Sequence, residues 1–164
     1  MFGADTNLKL LTPMKDSFWL FGSNLTILES EHDTDSSYDL IEGYFAPGAE
    51  TPLHVHTKYT ETMYVLEGEV TLYTPGNTHV LKKGESHFIP KNVPHTVVNN
   101  SKEHPFRALV VATPSGFAKL IREVGIPGSV NDGPPAQPND MQLAMEVLEE
   151  IGDKNMGPPG ARPE

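Results

Sequence analysis

The chain has 164 residues, enough for one domain with a substantial core, and its 12 Lys+Arg against 22 Asp+Glu give a formal charge of −10. That acidic balance excludes nucleic acid and anionic membrane as main partners, because both select a basic surface. Cysteine is absent, which removes disulfides, thiolate metal sites and cysteine nucleophiles, and the apolar run at 18–21 is too short for a secretory h-region or a membrane span, so a soluble cytoplasmic protein is expected.

Residues 1–24 read as an N-terminal arm without clear periodicity, ending in the apolar Phe18, Trp19, Leu20 and Phe21, which must pack on the chain's own body or on a neighbouring subunit. From 25 to 113 the sequence alternates β-prone runs with turn signals. Runs at 25–29 and 38–46 are followed by Pro47-Gly48, and runs at 52–56 and 61–66 by Glu67-Gly68. The run at 69–74 meets Pro75-Gly76-Asn77, and that at 78–82 meets Lys83-Gly84-Glu85. Runs at 86–89, 94–99 and 106–113 complete the series. Strands recurring at this spacing indicate an all-β sandwich or barrel.

Beyond Pro114 the period changes to that of a helix. Ser115 is a candidate N-cap, Phe117, Leu120, Ile121 and Val124 fall on one helical face, and Gly125 and Pro127 end the pattern. Residues 126–138 read as a loop, Asn139 as a cap, and 140–151 as a second helix with Met141, Met145 and Leu148 on one face. Residues 114–151 thus form a helical extension, and 152–164 a flexible tail rich in Gly and Pro. The acidic clusters Glu29, Glu31, Asp33, Asp35, Asp39, Glu42 and Glu146, Glu149, Glu150, Asp153 read as solvated faces.

His54 and His56 stand two apart in a strand-like run, so both imidazoles project from one face and can meet one ion. Alone, such a pair is a weak signal, more readily read as two surface or hydrogen-bonded histidines. The surrounding spacing adds to it. Gly48, His54, His56, Glu61 and Gly68 fit G-x5-H-x-H-x4-E-x6-G, and Gly84, Pro90, His95 and Asn99 fit G-x5-P-x-G-x2-H-x3-N, with Asn92 in place of the last motif's second glycine. On these two motifs the chain resembles the cupin superfamily. The flanking WLFGSNLTIL and TPSGFAKLIREVG look like small single-domain cupins compared with quercetin 2,3-dioxygenase. Asn92 tolerates positive φ better than other non-glycine residues, so the turn is expected to survive the departure.

The resemblance implies a cupin double-stranded β-helix, a jelly-roll barrel, over 25–113 with one or two C-terminal α-helices. It implies that His54, His56, Glu61 and His95 ligate one divalent transition metal. Three imidazoles and a carboxylate suit Fe, Mn, Ni, Co, Cu or Zn and leave the identity open. It also makes Glu61 a candidate general base, against the plainer reading of a ligand only. Met63 and Val65 share the parity of Glu61 and should face the interior, while Asn99 is either a support for the site or purely structural. Tyr59 lies close to the presumed mouth, and Tyr44 has no assigned facing. Tyr64 and Leu66, on the opposite parity, need cover, which a homodimer of the kind common among similar proteins would supply. His79 and His87 lie outside the motif positions and read as ordinary histidines.

Three functions remain open from the sequence. The first is a metal-dependent dioxygenase of a small aromatic or enol-type substrate, the second a metal-dependent isomerase or hydrolase, and the third a non-enzymatic small-molecule binding cupin.

Overall fold

Strands dominate because runs of β-branched and aromatic residues alternate inward and outward between glycine turns. The computed structural model describes residues 16–164, so residues 1–15 of the expected arm lie outside the described residues. In chain order the elements are β1 (Asp16–Leu20), β2 (Ser23–Glu29), α1 (Glu31–Thr34), β3 (Asp39–Phe45), β4 (Leu53–His56), β5 (Thr60–Glu67), β6 (Glu69–Thr74), β7 (Asn77–Lys82) and β8 (Ser86–Ile89). There follow β9 (Thr96–Val98), β10 (Phe106–Thr113), α2 (Phe117–Val124), β11 (Ile126–Pro127), a 3-10 turn at Val130–Asp132, α3 (Met141–Ile151) and β12 (Asp153–Gly157).

A seven-stranded sheet runs β11-β1-β2-β3-β10-β5-β8, a three-stranded sheet β7-β6-β9, and a two-stranded ribbon β12-β4. The core lies among their inner faces. Ile41, Met63, Val65, Ala108 and Val110 come from the large sheet and Val70, Leu72 and Val97 from the small one, all buried. The parity expected of β5 holds: Glu61, Met63 and Val65 turn inward, and Tyr64 stands exposed on the outer face. Tyr44 has the outward parity of β3.

Gly68 turns β5 into β6 at φ +80, and a Cβ there would come 2.8 Å from the Pro105 carbonyl oxygen, so only glycine fits. Asn92 adopts φ 63, the left-handed conformation that the glycine of the motif would take. Asn99 is structural. It is buried and its amide reaches the carbonyls of Phe45, Ala46 and His104 at 3.3, 3.0 and 2.9 Å.

Both C-terminal helices form, with different caps from those expected. The α2 N-terminus is held by Asp39 of β3, whose Oδ2 accepts from the Gly116 and Ala118 amides at 2.8 and 2.9 Å, while the Ser115 hydroxyl finds no partner. Asp39 is therefore buried and not part of a solvated face. Asp140, not Asn139, caps α3 by accepting from the Gln142 and Leu143 amides. Asn139 instead ties the Trp19 and Val124 carbonyls together. The buried face of α3 is Ala144, Val147 and Ile151, and Met141 and Met145 point outward.

Two segments are more ordered than their composition indicates. The loop at 126–138 contains β11, which pairs with β1, and the 3-10 turn, whose Ser129 carbonyl accepts from the Trp19 indole. The expected flexible tail contains β12, which pairs antiparallel with β4 as Asp153↔His56, Lys154↔Val55 and Asn155↔His54. Its polar sequence, DKNMG, carries no strand pattern, because the backbone ladder to β4 and not apolar burial holds it.

Candidate metal centre

Strand β4 supplies two imidazoles and the turn before β9 the third. His54 and His95 are bridged through their main chains, each amide donating to the other's carbonyl at 3.0 and 2.9 Å. The Asn92 amide donates to the His56 carbonyl at 2.8 Å, so the left-handed turn at Asn92 docks the second motif on the first. The result brings the rings of His54, His56 and His95 to centroid separations of 4.2 to 5.0 Å. One ligating atom from each of the three lies within 4.8 Å of the others.

The outer nitrogens are fixed by carbonyls. His54 Nδ1 lies 2.8 Å from the Pro52 oxygen and His95 Nδ1 3.0 Å from the Val93 oxygen. A carbonyl only accepts, so each Nδ1 carries the proton and each Nε2 is left with its lone pair. Burial, followed by the neighbouring imidazoles His95 and His56, holds His54 down at about 3, and burial lowers His95 as well. Both rings are therefore neutral at pH 7, as ligation requires. His95 Nε2 is buried without a hydrogen-bond partner. An orphaned, neutral ring nitrogen in a group of three fits a metal ion, and a nitrogen–oxygen donor set without sulfur suits a transition ion of the iron-to-zinc series.

Glu61 enters from β5. It lies outside the group of three, but its Oε2 is 3.1 Å from His56 Nε2. Its burial would raise its pKa, yet the hydrogen bond from His56 and the charge of that ring bring it to about 2. Its neighbours along the inner face of β5 are the buried Met63 and Val65.

Of the four motif residues singled out in the sequence, the structure gathers His54, His56 and His95 and sets Glu61 beside His56, and the group beneath them carries no motif signal. Asp153 is buried, not solvated, and its Oδ1 lies 2.7 Å from His56 Nδ1. Its other oxygen accepts from the Tyr59 hydroxyl at 2.8 Å. Tyr59 is itself buried, stacked on the His56 ring at 4.4 Å, so it belongs to the wall of the centre and not to an open mouth. Burial pulls His56 down, but the hydrogen bonds to Asp153 and Glu61 and their charges outweigh it and raise the ring to about 9. Burial and the Asp153 and Glu61 charges push the Tyr59 hydroxyl well above its usual value, keeping it protonated and donating. The one sequence signal for Asp153 is the Gly152 just before it, a helix-ending residue that starts a new element. His79 and His87 do not join the centre; their rings lie against each other, tilted, with centroids 4.1 Å apart.

Among the described residues no helix is long and apolar enough to cross a membrane. Residues 42–112 match the Cupin domain family model. The chain is 29% identical over 101 residues to quercetin 2,3-dioxygenase of Bacillus subtilis, a match covering 62% of this chain and 29% of that protein. It is 41% identical over 121 residues to germin-like protein subfamily 2 member 2 of Arabidopsis thaliana, covering 67% of this chain and 52% of that protein. It thus spans about a third to a half of these curated relatives. Among solved structures, the polyketide cyclase RemF of Streptomyces resistomycificus superposes with a TM-score of 0.55, at 28% identity, over 62% of this chain and 75% of that one. With both motifs in place, their imidazoles gathered and these likenesses of sequence and fold, residues 42–112 of the chain form a cupin domain.

Proposed function

We propose that this cupin holds one divalent transition metal through His54, His56, Glu61 and His95 and acts as a metal-dependent dioxygenase on a small aromatic or enol-type substrate. The observation that carries the metal reading is the buried, unpartnered Nε2 of His95 within the group of three imidazoles. The likeness to quercetin 2,3-dioxygenase supports the oxygenase reading.

A bound redox-active ion would supply electron transfer between an enolate-type substrate and dioxygen. The chain's own residues do the rest. His54 and His95 present Nε2 because carbonyls hold their Nδ1 protons. Met63 and Val65 provide an apolar wall on the side of Glu61, which limits water. The Glu61 carboxylate is ionised and faces His56, placed to serve as the fourth ligand and, once ion binding displaces the His56 proton that holds its pKa down, as the base for a substrate hydroxyl.

A second reading is favoured by the likeness to a polyketide cyclase: non-redox chemistry on a related ring substrate, with the ion as a Lewis acid. Elemental analysis of native protein, followed by turnover of a flavonol and enediol panel with and without oxygen, separates the two. Oxygen-dependent turnover with Fe, Cu, Ni or Mn bound supports the dioxygenase. Turnover that ignores oxygen removes it.

We further propose a homodimer joined through the outer face of β5 and β8, where Tyr64 and Phe88 are exposed side by side in the ladder that pairs Tyr64 with Ser86 and Thr62 with Phe88.

A further inference from the structure

We infer that the C-terminal strand β12 is a latch for the metal centre, with Asp153 a positioning residue that orients His56 toward the ion and thereby couples docking of the strand to metal occupancy. The inference rests on the metal reading above and assigns a role to a segment outside both sequence motifs.

Three features of the strand argue for it. The first is register. β4 carries two of the three imidazoles, and β12 is its partner, with Asp153 opposite His56 and Asn155 opposite His54. Opposed residues of an antiparallel pair project to the same side, so Asp153 is delivered beneath the His56 ring by the ladder itself. The second is the hydrogen bond. Asp153 Oδ1 meets His56 Nδ1 at 2.7 Å, which fixes the proton on Nδ1 and turns Nε2 to the side of His54 and His95. Whereas His54 and His95 are oriented by carbonyls two residues upstream in the chain, His56 is oriented by a carboxylate 97 residues away. The third is the holding of Asp153 itself. Its second oxygen is taken by the Tyr59 hydroxyl, and both aromatic rings are stacked, so the carboxylate has one orientation.

The latch is anchored at both ends. Gly152 closes α3 at φ +85, and its carbonyl accepts from the Thr57 amide and hydroxyl at 2.8 and 2.7 Å. A Cβ at Gly152 would fall 2.5 Å from the Lys58 side chain and 2.7 Å from the Thr57 hydroxyl, so a larger residue would disturb the turn between β4 and β5. At the far end Glu50, just before β4, accepts from the Gly160 amide at 2.7 Å and from the Arg162 guanidinium at 2.5 Å. Undocking β12 would leave His56 free to rotate. By reciprocity, an ion that needs His56 oriented must hold β12 down.

The test uses the full chain freed of metal and titrated with Co²⁺ against a chelating dye, with amide hydrogen exchange read at 153–157 and, as a fold check, on β10. Wild type should bind tightly, and Asp153→Asn, which keeps shape but removes charge, should weaken binding by about 10- to 100-fold. Tyr59→Phe should weaken it by less. Excess Co²⁺ should slow exchange at 153–157 in wild type by a factor similar to that loss, and should not do so in Asp153→Asn. Equal Co²⁺ affinity in wild type and Asp153→Asn, or exchange at 153–157 that ignores Co²⁺, overturns the latch while leaving the metal reading intact. If Asp153→Asn fails to fold, unchanged affinity in Tyr59→Phe overturns it instead. No Co²⁺ uptake by wild type itself removes the metal reading, and the latch with it.

Discussion

His56 lies between two carboxylates, with Asp153 at 2.7 Å from one ring nitrogen and Glu61 at 3.1 Å from the other. Such a ring gains a proton when the metal is absent. Its pKa of about 9 lies above the ordinary 6.5, so the ion pair stabilises the metal-free fold fully below 6.5, and that contribution is lost as pH rises through about 9. Ion binding must displace this proton.

Metal uptake should therefore release about one proton near neutrality, and affinity should rise by about tenfold per pH unit up to about 9 and then level off. Calorimetry in buffers of different ionisation enthalpy measures the released proton directly. Uptake without proton release would mean that His56 is not a ligand.

The ligand set is tested residue by residue. His95→Ala and Glu61→Ala should each drop bound metal below stoichiometric, since each removes one donor from the proposed four-ligand set. Plasma emission analysis of the purified variants reads this, and full metal content in both would remove the assignment.

Backbone strain predicts a contrast between two turns. Gly68→Ala should destabilise the fold by about 1–3 kcal/mol, from the left-handed φ, with a further cost from the 2.8 Å approach to Pro105. Asn92→Gly should change stability by less than about 1 kcal/mol, because asparagine already occupies the conformation glycine prefers. Urea denaturation compares them, and a large loss for Asn92→Gly would show that the asparagine side chain has a separate role.

Sedimentation should find a dimer that Phe88→Glu converts to a monomer with unchanged metal content, since Phe88 is 55% exposed on the outer face of β8 and is not one of the fixed positions of the second motif. A wild-type monomer at high concentration would remove the proposed pairing.

The strands and the four motif residues were legible because they rest on local rules: alternation, glycine turns and fixed spacing. Even Asn92, the one departure from the motif, was readable from its tolerance of positive φ. What the chain does over long separations was not. Asp39 caps a helix 77 residues downstream and Asp153 reaches His56 across 97, and each looked like one more solvated carboxylate among acidic neighbours. β12 escaped notice because its side chains carry no alternation, its place being set by main-chain pairing with β4. The inward face of α3 differs from the expected one: Ala144, Val147 and Ile151 turn to the core while the more conspicuous Met141 and Met145 stand exposed.

The single residue Gly152 between α3 and β12 also sets a parity. Side chains alternate along a strand, so one residue more or fewer at that joint would put Gly152 or Lys154 under the His56 ring in place of Asp153. The length of a surface helix thus becomes part of the specification of a buried centre. An insertion or deletion there should do more damage than most substitutions in the helix, although it touches none of the ligands.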